Sequence, residues 1–476
     1  MNSRHYNRTK IVATIGPACS DKEILTKMIL KGVDVCRLNF SHGSHEVHEQ
    51  NVKTIREIST ETNCALAILQ DLQGPKLRIG EVDGEILLKT GSEIILTTKK
   101  QLSTTKTLYV SYENLARDCK PGERVLINDG KCELVITKSI DHENVKAKVV
   151  GGGILTSNKG FNLPDSNLSV PCLTPKDLVD LEIGLRLGVD WIALSFVRRP
   201  EDIIELKQLI AKAGKTTRVI AKIEKPEAVA NIDSIIQVAD GIMVARGDLG
   251  VEIPLQKVPL IQKSIVEKCI RVSKPVIIAT QMMESMITDS MPTRAEVTDV
   301  ANAVLDGADA VMLSAETSVG KHPLKVIETM SDIITDVEES PNVYFKGIRP
   351  DENSPSFASD EVCFTAVRMS DHLKAKAIIA MTKSGFTGFK VASYRPKSSV
   401  FIFTDNIQLL NTLNLVWGVR GFYYNKFEST DQTFEDVIEV LKDSGNVSPG
   451  DYVINCASMP IHKKQRTNTI KISVVS

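Results

Sequence analysis

The stretch RVIAKIEKPEAV, from Arg218 to Val229, sets two opposite charges inside an apolar run. Val219, Ile220, Ala221 and Ile223 mark a buried strand, yet Lys222 and Glu224 flank Ile223. Side chains two apart on a strand leave the same face, so an ammonium and a carboxylate emerge together. A second carboxylate, Asp248, follows the apolar run GIMVA, close to Arg246. Glu224 and Asp248 at the ends of neighbouring strands can share a divalent cation, and such oxygen donors suit Mg2+ or Mn2+ rather than Zn2+. Lys222 and Glu224 alone could equally be an ion pair closing a strand end. With Asp248 and Arg37 added, a metal and anion site becomes the stronger reading. Gly247 would let the backbone approach an anion closely, with the following N–H groups as donors.

These residues need a frame that brings strand ends together. The segments KIVATIGP, DVCRLNFS, ALAILQDL, DWIALSFV, RVIAKIEK, GIMVARGD, PVIIATQM and AVMLSAET are eight short apolar strands separated by helical patterns. They lack polar alternation, as expected of parallel strands covered on both sides. Thr174 and Pro175 begin one of the intervening helices as cap and first residue. Eight strand–helix units predict a (β/α)8 TIM barrel, with its site at the C-terminal strand ends. Polar residues gather there: Arg37, Asn39 and Ser41 after strand two, Gln70 and Asp71 after three, Lys222 and Glu224 on five, Arg246 and Asp248 after six, Thr280 after seven, Ser314 and Glu316 after eight.

About a hundred residues between Asp71 and Thr174 break this rhythm. They read as all-β, punctuated by Asp83-Gly84, Pro121-Gly122 and Asp129-Gly130 turns. A β unit inserted at the catalytic face after strand three is a natural lid. A Pro-, Asn- and Ser-rich linker, SPNVYFKGIRPDENSPSF, precedes a further α/β unit with a helix near 357–373 and five strands. The expected organisation is a discontinuous barrel domain over 1–73 and 171–341, an inserted β-barrel lid over 74–170, and a C-terminal α/β regulatory domain over 357–476.

Composition narrows the function classes. A formal net charge of −1 suggests no nucleic-acid or membrane-surface partner. Nine widely spaced cysteines without a C-x-x-C read as reduced thiols, and no apolar run reaches the length of a membrane span, so a cytoplasmic location is expected. No Walker or dinucleotide-binding glycine loop occurs. His42, His45 and His48 are three apart, but they open a helix and no second His or Cys cluster supports zinc. Met282, Met283 and Met286 read as packing, and Lys225 and Glu227 as ordinary loop and helix-start charges. In the last unit, TKSGFTG turns from strand to helix, so Thr382, Ser384, Gly385 and Thr387 can donate to a phosphate; a plain helix cap is the competing reading.

The segments TKIVATIGPA, RLNFSHG, DLQGPKLRIG, KGFNLP, AKIEKPEAV, GIMVARGDLGVEIP, IIATQMMESM, PTRAEVTDVANAVLDGADAVMLSAET and TKSGFTGFKVASYRP resemble the pyruvate kinase family in order and spacing. The resemblance runs from Thr9 to the C-terminus. It implies phosphoryl transfer from phosphoenolpyruvate to ADP, giving pyruvate and ATP in the last step of glycolysis. By that resemblance Glu224 and Asp248 hold Mg2+ or Mn2+, which bridges substrate carboxylate, enol oxygen and phosphoryl group. Arg37 and Lys222 bind the phosphoryl group, and Lys222 stabilises the enolate. Gly247 and Asp248 offer backbone N–H groups to the carboxylate. Thr280 lies where the enolate carbon is protonated, in a positioning role, with Ser314 and Glu316 supporting. Asn39, His42, Arg78 and Lys159 match nucleotide-side positions, and a second Mg2+ arrives on ADP. A homotetramer is implied, with the helix over 293–303 as a candidate interface. SMPIHKKQRTNTIKI resembles a second effector loop, for an unspecified phosphorylated effector.

One position departs from the family's commoner pattern. Many members hold K+ with Asn, Ser, Asp and a following Thr, with Glu after Gly-Pro. Here Asn39, Ser41 and Asp71 stand, but Leu72 replaces the Thr and Lys76 stands in place of the Glu. Leucine cannot ligate K+ and an ammonium can supply its charge, so K+-independent activity is expected. The alternatives are a metal-dependent pyruvate aldolase on a similar barrel, and a non-catalytic relative.

Overall fold

The computed structural model describes residues 4–426, 430–459 and 466–476. Eight strands, Lys10–Thr14, Val33–Asn39, Ala67–Asp71, Trp191–Leu194, Arg218–Ile223, Gly241–Ala245, Val276–Ala279 and Ala310–Leu313, close into a barrel. Each pairs in parallel with its sequence neighbours, and the first pairs with the eighth. Alternation sorts their side chains into two layers. Val12, Val35, Leu69, Ala193, Ile220, Met243, Ala279 and Met312 fill the barrel interior. Ile11, Cys36, Ile68, Ile192, Val219, Ile242, Ile278 and Val311 meet the surrounding helices.

The helices begin and end where local chemistry predicts. Thr174 caps Pro175–Leu187 through a capping box with Asp177, and Gly188 ends it with φ +71°. Thr293 and Glu296 do the same for Arg294–Asp306. Such caps occupy N–H groups that the first helical turn leaves without partners. Met282, Met283 and Met286 are fully buried, as expected of packing residues. All nine cysteines are buried and unbridged.

Between the third and fourth barrel strands lies a separate apolar core, including Ile94, Leu96, Val125, Leu134 and Ala147. The strands over it form a six-stranded sheet and a two-stranded sheet of Ile86–Leu88 with Gly153–Leu155. The expected β-barrel is therefore corrected to two sheets. The chain crosses from one to the other at Gly152, where a Cβ would lie 2.3 Å from the Leu88 carbonyl oxygen, so only glycine permits the crossover.

The last unit has five strands, in the order Val419–Tyr423, Ser399–Thr404, Ala377–Met381, Tyr452–Ala457, Thr469–Val474, with the final one antiparallel. It seals the base of the barrel. Leu415 joins the barrel's interior cluster, Trp191 Nε1 donates to Thr412 O at 3.2 Å, and Arg395 pairs with Asp309 at 3.0 Å. Among the described residues no helix is long and apolar enough to cross a membrane.

Candidate active site

The inward register of the strands builds the site. Continuing each interior line two residues toward the C-terminal mouth leads from Val12 to Thr14, Val35 to Arg37, Leu69 to Asp71, Ala193 to Ser195 and Ile220 to Lys222. The strands thus change from apolar to polar at one level, and the polar groups meet.

Asp71 is the hub. It is 1% exposed; Oδ2 accepts from Arg37 Nε at 2.8 Å, and Oδ1 lies 3.2 Å from Lys222 Nζ. Burial opposes its charge, but Lys222 and Arg37 outweigh that and hold its carboxyl below the usual range. Lys222 Nζ also lies 2.9 Å from Glu224 Oε1 and donates to Ser195 Oγ at 2.7 Å. Burial works against this ammonium too, yet Asp71 and Glu224 prevail and raise its pKa. Arg37 reaches Thr14 Oγ1 at 2.8 Å. Ser195 and Thr14 end strands four and one, whose polar ends the sequence reading left without a role; their place on the inward register was the available signal.

Glu224 is 1% exposed, and its Oε2 accepts from Phe196 N at 2.7 Å. Phe196 has φ +55°, a left-handed turn that breaks strand alternation just past strand four. Burial pushes the Glu224 carboxyl up, Lys222 pulls it down and Asp248's negative charge adds to the rise. Two carboxylates that oppose each other's ionisation are a fitting receptor for a divalent cation. Among the described residues no three His, Cys, Asp or Glu side chains gather closely enough to hold a metal alone. Water and substrate oxygens would complete the shell, which suits Mg2+.

Thr280 departs from the parity rule. It follows inward-facing Ala279, but its φ of +68° interrupts the alternation. Its hydroxyl accepts from Gly247 N at 2.7 Å and donates to Ala279 O at 2.6 Å. A Cβ at Gly247 would stand 3.3 Å from that hydroxyl, so glycine keeps this approach open. Arg246 turns outward to Asp299 at 2.7 Å. Glu316 is 2% exposed and accepts from Ser314 N at 2.6 Å and Met283 N at 3.3 Å, and burial raises its pKa. It braces the loops after strands seven and eight.

Asn39 stands opposite Asp71 in the strand register and accepts from Ser41 N at 3.1 Å. Leu72 is fully buried and Lys76 exposed. His42 is exposed, and its carbonyl accepts from His48, which stacks on Phe40 at 4.0 Å. His45 bonds Asp180 instead, so the three histidines diverge. Arg78 and Lys159 meet in the inserted unit, where Arg78 bridges Gly160 and Ile79 N donates to Lys159 O at 2.9 Å. That junction adjoins a narrow cleft lined by Lys76, Gly160, Lys225 and Asp248, which joins the insert to the barrel mouth.

Lys225 corrects an expectation. It is no ordinary loop charge but 6% exposed, paired with Glu252 at 2.6 Å. Glu252 also accepts from Asn162 Nδ2 at 2.7 Å, so the pair ties the insert to the barrel. Asn162 and Glu252 are far from Lys225 in sequence, and neither local pattern announces the bond.

In the last unit, Gly385 N donates to Thr382 Oγ1 at 3.0 Å and Gly385 has φ +85°. Ser384 is exposed, whereas Thr387 is 2% exposed and its hydroxyl meets that of Thr467 at 2.5 Å. Residues 460–465 of the expected second effector loop lie outside the described residues.

Comparison with known proteins follows this geometry closely. The chain matches the family model for the pyruvate kinase barrel domain over residues 6–327, and that for the pyruvate kinase alpha/beta domain over 360–473. It is 43% identical to pyruvate kinase 2 of Synechocystis sp., over 98% of this chain and 79% of that one. It is also 43% identical to pyruvate kinase of Corynebacterium glutamicum, over 98% of both. The crystal structure of a pyruvate kinase from Cryptosporidium parvum superposes with a TM-score of 0.93 at 34% identity, covering 99% of this chain and 96% of that one.

Proposed function

The chain belongs to the pyruvate kinase family, and from that premise we propose how its residues serve phosphoryl transfer from phosphoenolpyruvate to ADP. The observation that carries the reading is the Arg37–Asp71–Lys222–Glu224 cluster at the barrel mouth.

Arg37 and Lys222 are held on opposite oxygens of one carboxylate, Asp71. Both cations keep their charge, and their remaining N–H groups can turn to a phosphoryl group. Such transfer depends mainly on positioning and charge neutralisation rather than on covalent catalysis by the protein. Lys222 then stabilises the enolate oxygen left behind. Glu224 and Asp248 would hold Mg2+ or Mn2+, which when bound supplies positive charge beside the phosphoryl and enolate oxygens.

Gly247 and Asp248 N–H groups receive the substrate carboxylate, and Thr280 releases Gly247 N to do so. Thr280 positions the donor of the enolate's proton, with Ser314 and Glu316 bracing its loop. Asn39, His42, Arg78 and Lys159 take the nucleotide, and the insert closes over it. Asn39, Ser41 and Asp71 form the monovalent-cation site, with Lys76 in place of K+; Leu72, which has no ligand atom, supports this. Thr382, Ser384, Gly385 and Thr387 receive a phosphorylated effector. The domain limits given above, a homotetramer using the 293–303 helix, and a cytoplasmic location belong to the same proposal.

The test supplies phosphoenolpyruvate, ADP and Mg2+ and measures ATP and pyruvate. Equimolar formation is expected. Pyruvate without ATP would contradict the reading.

A further inference from the structure

The largest cavity described lies at the other end of the barrel, between its base and the terminal α/β unit, with a volume of about 820 Å3. That is within the range of small-molecule sites. Arg218, Arg271 and Lys274 enter from the barrel, Arg349 from the linker and Lys390 from the terminal unit. Three carboxylates, Asp240, Asp351 and Asp360, face these five cations.

The charges are unevenly matched. Asp240 is engaged by Lys207 at 2.7 Å, and Asp360 Oδ2 by Lys390 at 3.3 Å. Among the described residues, Arg218 and Lys274 make no ion pair within 4.0 Å. Arg218 donates to the Ser384 carbonyl at 3.3 Å and lies 4.5 Å over the Phe389 ring. Lys274 donates to the Ile236 and Gln237 carbonyls at 2.5 and 2.7 Å. Burial pushes both pKa values down, that of Lys274 to about 8. A desolvated cation without a counter-ion gains most from a bound anion. Asp360 Oδ1 is buried and accepts no hydrogen bond. It needs a donor, and Ser354 and Ser356 border the same space. Cations beside an unpartnered acceptor call for a ligand bearing both phosphate and hydroxyl groups.

We infer that this cavity binds a phosphorylated sugar, free or within a nucleotide, with its phosphate between Arg218, Arg271 and Lys274 and a hydroxyl on Asp360. The site lies across the 382–388 loop from Thr387, whose hydroxyl turns away to Thr467. It also has a route to the reaction, which rests on the kinase reading. Arg218 opens the fifth barrel strand and Lys222 nears its other end, about 13 Å away at strand rise. A ligand that draws Arg218 toward the cavity acts on the strand that aims Lys222.

The test titrates ribose 5-phosphate, AMP, ribose and inorganic phosphate into the full chain by calorimetry, which needs no activity. Either phosphate ester should bind at least tenfold more tightly than ribose. Binding of ribose 5-phosphate alone identifies a free sugar phosphate, and of AMP alone a nucleotide. Lys274→Met and, independently, Arg349→Ala should weaken it at least fivefold, while Thr387→Val should leave it in place. Absence of binding by both esters overturns the inference. So does binding lost in Thr387→Val but kept in Lys274→Met, which would put the ligand on the loop. Half-saturation by phosphoenolpyruvate, measured with the ester that binds, should shift at least twofold; binding without a shift overturns the route through the strand.

Discussion

Two buried lysines in one barrel are driven in opposite directions. Desolvation is the largest influence on both Lys222, at the mouth, and Lys274, at the base. Lys222 has Asp71 and Glu224 within 3.2 Å, and its pKa rises. Lys274 has two backbone carbonyls, and its pKa falls to about 8. Burial alone therefore does not decide a lysine's charge; the number of facing carboxylates does. The mouth is a pre-neutralised cluster, built to keep its cations charged and aimed. The base holds its cations with little compensation, leaving room for an anion.

The comparison breaks first at the mouth if the carboxylates there are not essential. Glu224→Gln should lower kcat by about a hundredfold or more and raise the Mg2+ concentration needed. An unchanged Mg2+ titration would separate Glu224 from the metal. Next in size is the tie between insert and barrel. Glu252→Ala leaves the Lys225 ammonium buried without its partner and should cost about 3 kcal/mol in denaturant unfolding. A loss near zero would mean that Lys225 escapes to water.

At the base the expected effects are smaller and of opposite sign. The folded-state pKa of Lys274 lies below its model value of 10.5, so the unfolded chain binds more protons between about pH 8 and 10.5. Stability from this group should rise with pH across that window, and Lys274→Met should remove the slope. Lys222, shifted upward, gives the reverse: its contribution is present below its unfolded pKa and fades only above it. Smallest of all, replacing K+ by tetramethylammonium should change turnover less than about twofold, because an ammonium stands in for the ion. A collapse restored by K+ would contradict the role given to Lys76.

Much of this was legible in the chain. Strand order follows from eight apolar runs, and the shared face of Lys222 and Glu224 follows from a period of two. The same parity extends to Thr14 and Ser195, which went unassigned because a lone polar residue ending a strand reads as the start of a solvated loop. Thr280 and Phe196 could not be placed by parity, since positive φ values reset the direction of the chain there. Lys225 was misread because its partner Glu252 is 27 residues away on a helix. The cavity at the base is invisible in sequence for a related reason. Its walls come from residues 218, 274, 349 and 390, which only the docking of two folded units brings together.

The central claim is that Lys222 carries the charge on which phosphoryl transfer depends. Lys222→Met tests it most directly, with ATP formation from phosphoenolpyruvate, ADP and Mg2+ as the readout and thermal unfolding as the check on folding. A folded variant with ATP formation reduced by about a thousandfold or more is predicted. ATP formation within tenfold of the parent in a folded Lys222→Met protein would contradict it.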